Sequence, residues 1–313
     1  MVKVAIAGGS GGIGRAIVDA LKEQTEHQFI ILTRKVNPEL ESALGVKTVA
    51  IDYTNISAIQ KALEEHQVHT IISALSVNDQ KTNDAQINLI RAAAASSTTK
   101  RFTPSEFGTF YKEDDIKSLP LVAFKFAAIA ELEKTDLEFT LFSNGFFLDY
   151  FGLPKVQSHL KPFTIGIDFQ NKVAGLPGTG NTPVVFTRTK DVGRLVVASL
   201  GLPKWKRRSI LIGDRKSWNE ILNIAEKVTG SKFEVHHDSI ATLKNGQITE
   251  LPSHVPMYPF LPKEHLQGFL SVFGIWSERG DFDLDVTQGD NLNQLFPEIT
   301  TTSIEDIIKE AWA

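Results

Sequence analysis

Cysteine is absent from the sequence. Disulfides, thiolate catalysis and cysteine-ligated zinc are therefore excluded. That composition suits a reducing compartment, and a cytoplasmic location is expected. No run of about 18 apolar residues occurs, so no membrane-spanning helix is expected. The chain enters VKVAIAG directly, without the pattern of a signal peptide. An excess of one charge is missing too: 33 Lys and Arg stand against 37 Asp and Glu. Neither a nucleic-acid partner nor a polybasic membrane contact fits that balance. The one basic cluster, KWKRR at Lys204–Arg208, reads as a short solvated loop. No internal repeat or low-complexity tract interrupts the 313 residues, a length for one large or two modest domains.

The first half alternates short apolar runs with helical stretches. Strands are expected at 2–8, 28–33, 47–52, 69–75, 100–105 and 138–144, and helices at 12–24, 55–65, 80–97 and 119–134. Continuous rather than alternating apolar strands are those of a parallel sheet buried on both faces. The fold class is α/β, a doubly wound parallel sheet of Rossmann type with a smaller, discontinuous α+β substrate domain. Residues 1–150 are expected to form the nucleotide-binding domain, with the chain returning to it around 182–214, and 151–313 mainly the substrate domain. In the second half, strands are expected around a PGTGN turn. KDVGRLVVASLG reads as a helix opened by Asp191, and SILIGD as a strand. Ser217 with Glu220, and Ser303 with Asp306, have capping-box spacing, and Gly230 ends the first of those helices. The proline-rich SHVPMYPFLP, 253–262, reads as an irregular lid.

The clearest motif is AGGSGGIG at 7–14, between the first strand and the first helix. Gly8, Gly9, Ser10, Gly11, Gly12, Ile13 and Gly14 form the turn expected to carry a dinucleotide's pyrophosphate, since glycines allow close backbone approach and the helix start offers free amides. A carboxylate at the end of the second strand would select NAD. Here that position holds Thr33, Arg34 and Lys35. A guanidinium suits a 2′-phosphate, so the expected cofactor is NADP(H). Asp52 is placed to reach adenine, and Ser73 and Ala74 to pass near the cofactor's middle.

Ligands of such sheets bind beyond the carboxyl ends of the strands. The fifth strand ends at TPSEFG, bringing Pro104 and Ser105 there, and the sixth at SNGFF, bringing Asn144 and Phe146. Between them lies LVAFKFAAIAEL, 121–132, in which Lys125 shares a helical face with Val122, Ile129 and Leu132. A lysine inside an apolar stripe is either a desolvated acid/base at the cofactor, where Lys125 is also placed to bind the nicotinamide ribose, or a side chain whose head snorkels to water or pairs with a carboxylate such as Glu106.

KRFTPSEFG, Lys125 eight residues before Glu133, and SNGFF together resemble the isoflavone reductase-like and NmrA-like branch of the atypical short-chain dehydrogenases/reductases. The resemblance covers most of the chain, is strongest to about residue 195 and is thin after 235. It implies that Lys125 is the general acid/base near the nicotinamide, that Asn144 and Phe146 match the family's Asn-x-Phe, and that the phenyl ring lies by the nicotinamide. The Tyr-x-x-x-Lys pair of ordinary short-chain dehydrogenases is absent. The segment GTFYKEDDIKSLPLVAF departs from the plant enzymes' version, so their substrate preference does not carry over; Tyr111 within it is either a second proton donor or a loop aromatic, and reads as the latter.

No metal site is expected. His236, His237 and Asp238 are adjacent, so their side chains diverge, and they read as surface polar residues. Aromatic residues of the second half, Phe147, Tyr150, Phe151, Tyr258, Phe260, Phe269, Phe273 and Trp276, are candidates for a hydrophobic pocket wall. The expected function is NADPH-dependent reduction of a hydrophobic, ring-bearing small molecule of secondary-metabolism type, hydride leaving C4 of the nicotinamide while Lys125 handles the proton. Two alternatives stand: a non-catalytic NADP(H) sensor that binds a protein partner, and a redox-neutral isomerase or dehydratase.

Overall fold

Each buried apolar run in the first half becomes a parallel strand, and the segment following it packs on one sheet face. The computed structural model describes residues 2–24 and 26–313. In chain order the elements are β1 (Lys3–Ala7), α1 (Gly12–Glu23), β2 (Gln28–Thr33), α2 (Pro38–Leu44), β3 (Thr48–Ala50), α3 (Ile56–Glu65), β4 (Thr70–Ser73), α4 (Gln80–Ala95), β5 (Arg101–Thr103), α5 (Val122–Leu132), β6 (Glu138–Phe139), β7 (Leu141–Ser143) and β8 (Phe146–Phe147). There follow β9 (Ile167–Asp168), β10 (Val173–Pro177), β11 (Pro183–Thr187), α6 (Thr189–Ser199), β12 (Arg208–Ile210), β13 (Asp214–Ser217), α7 (Trp218–Thr229), β14 (Glu234–Asp238), α8 (Ile240–Lys244), α9 (Lys263–Arg279), β15 (Asp290–Asn291), α10 (Leu292–Leu295) and α11 (Ile304–Trp312).

The main sheet has the order β3-β2-β1-β4-β5-β6, all parallel. That is the doubly wound Rossmann arrangement, with its switch point between β1 and β4. Alternation along β1 divides the core. Val4 and Ile6 join Ile17 and Leu21 of α1 and Val192 and Val196 of α6 on one face. Ala5 and Ala7 join Ile59 and Leu63 of α3, Leu89 and Ile90 of α4, and Leu132 of α5 on the other. A third, aromatic-rich core holds Phe146, Phe151, Phe186, Trp218, Trp276 and Phe282.

The expected strand at 138–144 is not continuous. It breaks at Thr140, whose carbonyl accepts the Thr103 hydroxyl at 2.9 Å. β6 pairs with β5, whereas β7 pairs with β12, and β12 with β15. Asp191 does not open the next helix. Thr189 does, with its N–H and hydroxyl both donating to buried Asp149, at 2.7 and 2.6 Å. Asp191 instead accepts the Thr302 N–H at 2.7 Å. The capping boxes at Ser217 and Ser303 form as expected. Helices α2 and α9 were not legible as separate elements in the sequence.

The KWKRR cluster is also not a solvated loop. Trp205 is buried, and the Arg101 guanidinium lies 4.9 Å from its ring centre. Arg101 donates to Glu138 at 2.6 Å, to the Leu200 carbonyl at 3.3 Å and to the Pro203 carbonyl at 3.0 Å, and Glu138 accepts the Trp205 N–H at 2.5 Å. A buried guanidinium needs such a full set of acceptors. This knot pins the returning chain to the start of β5. Arg101→Ala is expected to lower stability by about 3 kcal/mol, because it strands Glu138 and two carbonyls. The double variant Arg101→Ala/Glu138→Gln should cost less than the sum of the singles. Urea unfolding of the four proteins checks the coupling, and simple additivity would rule it out.

Candidate functional site

The glycine loop is built for close backbone contact. Gly8 has φ +83°, and a Cβ there would lie 2.4 Å from the Ala74 carbonyl oxygen. A Cβ on Gly14 would lie 2.2 Å from the Gly8 oxygen. By contrast, Gly11 faces open space. Gly11 is also the N-cap of α1 and offers no side-chain cap, so the first-turn amides lack the usual internal acceptor. One of them is engaged from elsewhere: the Gly12 N–H donates to the His159 carbonyl at 3.2 Å. His159 itself bonds Asp19 at 2.6 Å. Ser10 is exposed and Ile13 half-buried at the same loop.

Arg34 and Lys35 are exposed beyond the end of β2, and among the described residues neither pairs with a carboxylate. Asp52 lies just past β3 and accepts the Thr54 N–H and hydroxyl at 2.9 and 2.7 Å, which hold its carboxyl below the usual range. The loop, the unpaired guanidinium and the absent acid at β2 together fit a dinucleotide bearing a 2′-phosphate. Ala74 forms the floor under Gly8. Ser73 does not turn toward the cleft: its hydroxyl donates to Gln86 at 2.8 Å. The same Gln86 oxygen accepts the Ser105 N–H at 2.9 Å. Gln86, buried on α4 and unmarked by any motif, thus ties the end of β4 to the end of β5.

The helix α5 brings Lys125 against that second end. Its Nζ donates to the Ser105 carbonyl at 2.5 Å and the Glu106 carbonyl at 2.9 Å. An ammonium has three protons, so one remains for another acceptor. The Glu106 carboxylate stands 3.9 Å away and has an oxygen without a hydrogen-bond partner. About 23% of the Lys125 side chain is accessible, enough to open on solvent from one side. Desolvation pushes the Lys125 pKa down, opposed by the negative charge of Glu106. Desolvation pushes Glu106 up, opposed by Lys125 and Arg208. Burial thus favours the neutral form of each group, and the charge of each holds the other back from it. Glu133 plays no part here. It is exposed and pairs with Arg207, about 12 Å further along the helix axis.

The loop after β5 is held in an unusual shape. Phe107 has φ +43°, a left-handed conformation that a bulky residue adopts only under constraint. The Gly108 carbonyl supplies that constraint, accepting the N–H groups of Asn144 and Gly145, each at 3.0 Å. Tyr111 is not merely a loop aromatic. Its ring centre lies 5.7 Å from Lys125 Nζ, its hydroxyl occupies the space where Gly108 would carry a Cβ, and its edge packs on Trp276 at 5.8 Å. Burial pushes its pKa up, so it is a neutral hydroxyl at physiological pH. No sequence signal pointed to Tyr111, because its position depends on the loop's turn rather than on a periodic element.

Asn144 is buried, with Nδ2 donating to the Gly145 carbonyl at 3.1 Å and Oδ1 unpartnered. Phe146 stands in the aromatic core, 4.0 Å from the Phe282 ring and 5.6 Å from Phe186. Its neighbour Phe147 points to the other side and packs against the core under the glycine loop. Phe146 lines a narrow cavity of about 30 Å³ together with Trp218, His254, Leu270, Phe273 and Ser277. Of the aromatic residues anticipated from the second half, only Phe273 reaches this cavity. Phe151 and Trp276 are core, and Phe260 is 90% exposed. The proline-rich segment is more ordered than an irregular lid: Pro252–Met257 forms a 3₁₀ turn pinned by fully buried His254. His254 Nδ1 accepts the Leu251 N–H at 3.2 Å, and Nε2 donates to the Thr164 carbonyl at 3.1 Å. Asp238 is likewise not a surface residue. It is buried and accepts from Thr249 at 2.7–3.0 Å, while His236 and His237 are exposed. Among the described residues no helix is long and apolar enough to cross a membrane, and no cluster of His, Asp and Glu has a metal site's arrangement.

Comparison with known proteins extends the resemblance already carried by the motifs. The chain is 47% identical over 300 residues to "Oxidoreductase BOA1" of Botryotinia fuckeliana (strain B05.10), covering 96% of each protein. It is 33% identical over 344 residues to "Oxidoreductase swnN" of Metarhizium robertsii, covering all of this chain and 98% of the relative. A solved ternary complex of leucoanthocyanidin reductase from Vitis vinifera shares the fold at TM-score 0.75 and 20% identity, over 98% of each chain. The NmrA-like family model matches residues 2–308, and the chain belongs to the NmrA-like family.

Proposed function

We propose that the protein is an NADPH-dependent oxidoreductase that reduces a hydrophobic, ring-bearing small molecule, with Lys125 as the general acid. The carrying observation is one connected set of contacts. Gly8 rests on Ala74, Ser73 and Ser105 share Gln86, and Ser105 accepts from Lys125. The pyrophosphate cradle and the lysine are therefore held in fixed register at neighbouring strand ends. Named oxidoreductases among full-length relatives support the reading. So does the solved structure "AtPrR2 with NADP+ and (+)pinoresinol", a relative that holds both a nicotinamide nucleotide and a ring-bearing ligand.

Bound NADPH would supply the hydride. Gly8 to Gly14 would hold its pyrophosphate, Arg34 and Lys35 its 2′-phosphate, and Asp52 its adenosine. Ala74, Pro104, Ser105, Asn144 and Phe146 would border the nicotinamide half. The chain's own chemistry is proton delivery. Two carbonyls orient the Lys125 ammonium, and the remaining N–H points a proton at the developing oxyanion or carbanion of the substrate. Glu106 keeps that proton on the lysine until it is needed. Residues 1–150, with the return at 182–214, would serve the cofactor and 151–313 mainly the substrate, a division supported by the separate aromatic core. A cytosolic location is proposed from the cysteine-free composition. A purely sensing role would have no use for a desolvated lysine beside a buried carboxylate.

Mixing the protein with NADPH and a small-molecule extract of its source should consume NADPH absorbance. Lys125→Met should bind NADPH with unchanged affinity yet turn over at least about 100-fold more slowly. Normal turnover by that variant would remove Lys125 from the chemistry. In the reductive direction the lysine must carry its proton, so the rate should fall as pH rises through its pKa, which lies below the ordinary lysine value. Glu106→Gln removes the charge that raises that pKa, so the falling limb should move to lower pH. A limb that stays in place in the pH profile would show that Glu106 does not act on Lys125. Arg34→Ala should weaken NADPH binding roughly tenfold or more while leaving NADH binding nearly unchanged, measured by nucleotide fluorescence.

A further inference from the structure

The narrow cavity beside Phe146 contains two polar atoms with nothing to bind. Trp218 and Ser277 each keep only 2% of their surface accessible. Both line the cavity, and Trp218 Nε1 and Ser277 Oγ have no hydrogen-bond partner among the described residues. Buried indole N–H groups and hydroxyls ordinarily find one. The other polar groups on the cavity wall are satisfied. His254 uses both ring nitrogens, and Asp238 accepts from Thr249. The orientation of Trp218 is fixed. Its benzene edge lies where Gly166 would carry a Cβ, 2.6–3.0 Å away, which leaves the pyrrole edge with Nε1 on the opposite side. A serine on a helix also commonly turns its hydroxyl to a preceding carbonyl, and Ser271 on the same helix does so toward Gly268 at 2.8 Å. Ser277 does not. The rest of the wall is apolar, including Phe146, Leu270 and Phe273.

We infer that Trp218 Nε1 and Ser277 Oγ form a subsite for a single oxygen at the edge of a ring, a phenolic hydroxyl or a ring carbonyl. This deepens the reductase reading and rests on it. The indole donates to the oxygen. The serine accepts from a hydroxyl or donates to a carbonyl. Room of about 30 Å³ admits an oxygen-bearing tip between the apolar side chains of Phe146 and Phe273, and the rest of the ring extends through the cavity's opening. The subsite connects to the lysine cluster through one aromatic layer: Phe273 packs on Trp276 at 5.3 Å, and Trp276 on Tyr111 at 5.8 Å. It sets which ring oxygen is recognised, separately from the proton delivered by Lys125.

The test uses p-cresol and p-xylene, which differ by a hydroxyl in place of a methyl, with the protein saturated in NADP⁺ and binding followed by ligand-observed NMR. Wild type is expected to favour p-cresol by at least about tenfold, since a site built around hydrogen bonds penalises the analogue that leaves them unmade. Trp218→Phe keeps the ring packing, and Ser277→Ala keeps the helix. Each should cut the preference to about threefold or less, and the double variant should abolish it, with NADP⁺ affinity unchanged. Equal binding of the two probes by wild type, or a preference that survives both substitutions, would overturn the inference and assign the two donors to a buried water that ligands do not displace. NADPH oxidation with the extract is measured on the same proteins. Oxidation by wild type with no probe preference sinks the subsite alone, whereas absence of oxidation with a clear probe preference sinks the reductase reading.

Discussion

At Gly145 the backbone comes so close to Val185 that a Cβ would lie 2.0 Å from its carbonyl oxygen, and φ there is +69°. Only glycine can occupy the position. The consequence spreads over ten residues. Within 138–147 the chain pairs first with β5, then with β12 and finally with β11. It leaves the main sheet at Thr140, joins a second at Leu141 and turns at Gly145 into a third. The Gly145 N–H also joins that of Asn144 on the Gly108 carbonyl, which fixes the loop carrying Glu106 and Phe107. The sheet, the lysine pocket and the aromatic core therefore share a single point of backbone contact.

The pocket follows from that geometry. A carboxylate buried at the end of β5 is costly unless positive charge approaches it. Lys125 does so from α5, and Arg208 from β12, where its guanidinium also rests 4.3 Å from the Phe110 ring centre and donates to Ser143 at 2.8 Å. The two cations come from elements more than 70 residues apart, α5 and β12. Their shared attraction to Glu106 makes the pocket a meeting of elements remote in sequence, which is why its parts cannot be moved independently.

The parallel sheet was legible because its strands are continuous apolar runs and its glycine loop falls where a strand gives way to a helix. The capping boxes at Ser217 and Ser303 were legible because they are local. Lys125 stood out as a charge within an apolar stripe. What escaped the sequence depends on contacts between distant segments. Gln86 looks like any helical glutamine until Ser73 and Ser105 are seen to share it. Trp205 sits in a basic cluster that reads as solvent-facing, yet it joins the core beside α6 and stacks under Arg101. Phe146 and Phe147 are adjacent residues of one type, and the turn at Gly145 decides which faces the aromatic core. Tyr111 is carried by a loop whose shape follows from Phe107, a residue in a conformation that no pattern announces.

The last helix carries a further consequence. Trp312 donates its indole N–H to the Phe151 carbonyl at 2.7 Å, and its ring stacks on Phe169 at 5.6 Å. Ile304, Ile307 and Ile308 fill the core next to Phe151 and Trp218. The aromatic core thus includes residues separated by more than half the chain. During synthesis the first parallel strands can pair and cover themselves early, but the second core cannot close until residue 312 has been made. Until then its phenylalanines and tryptophans lack those partners, and over that interval the growing chain is most prone to associate with its neighbours.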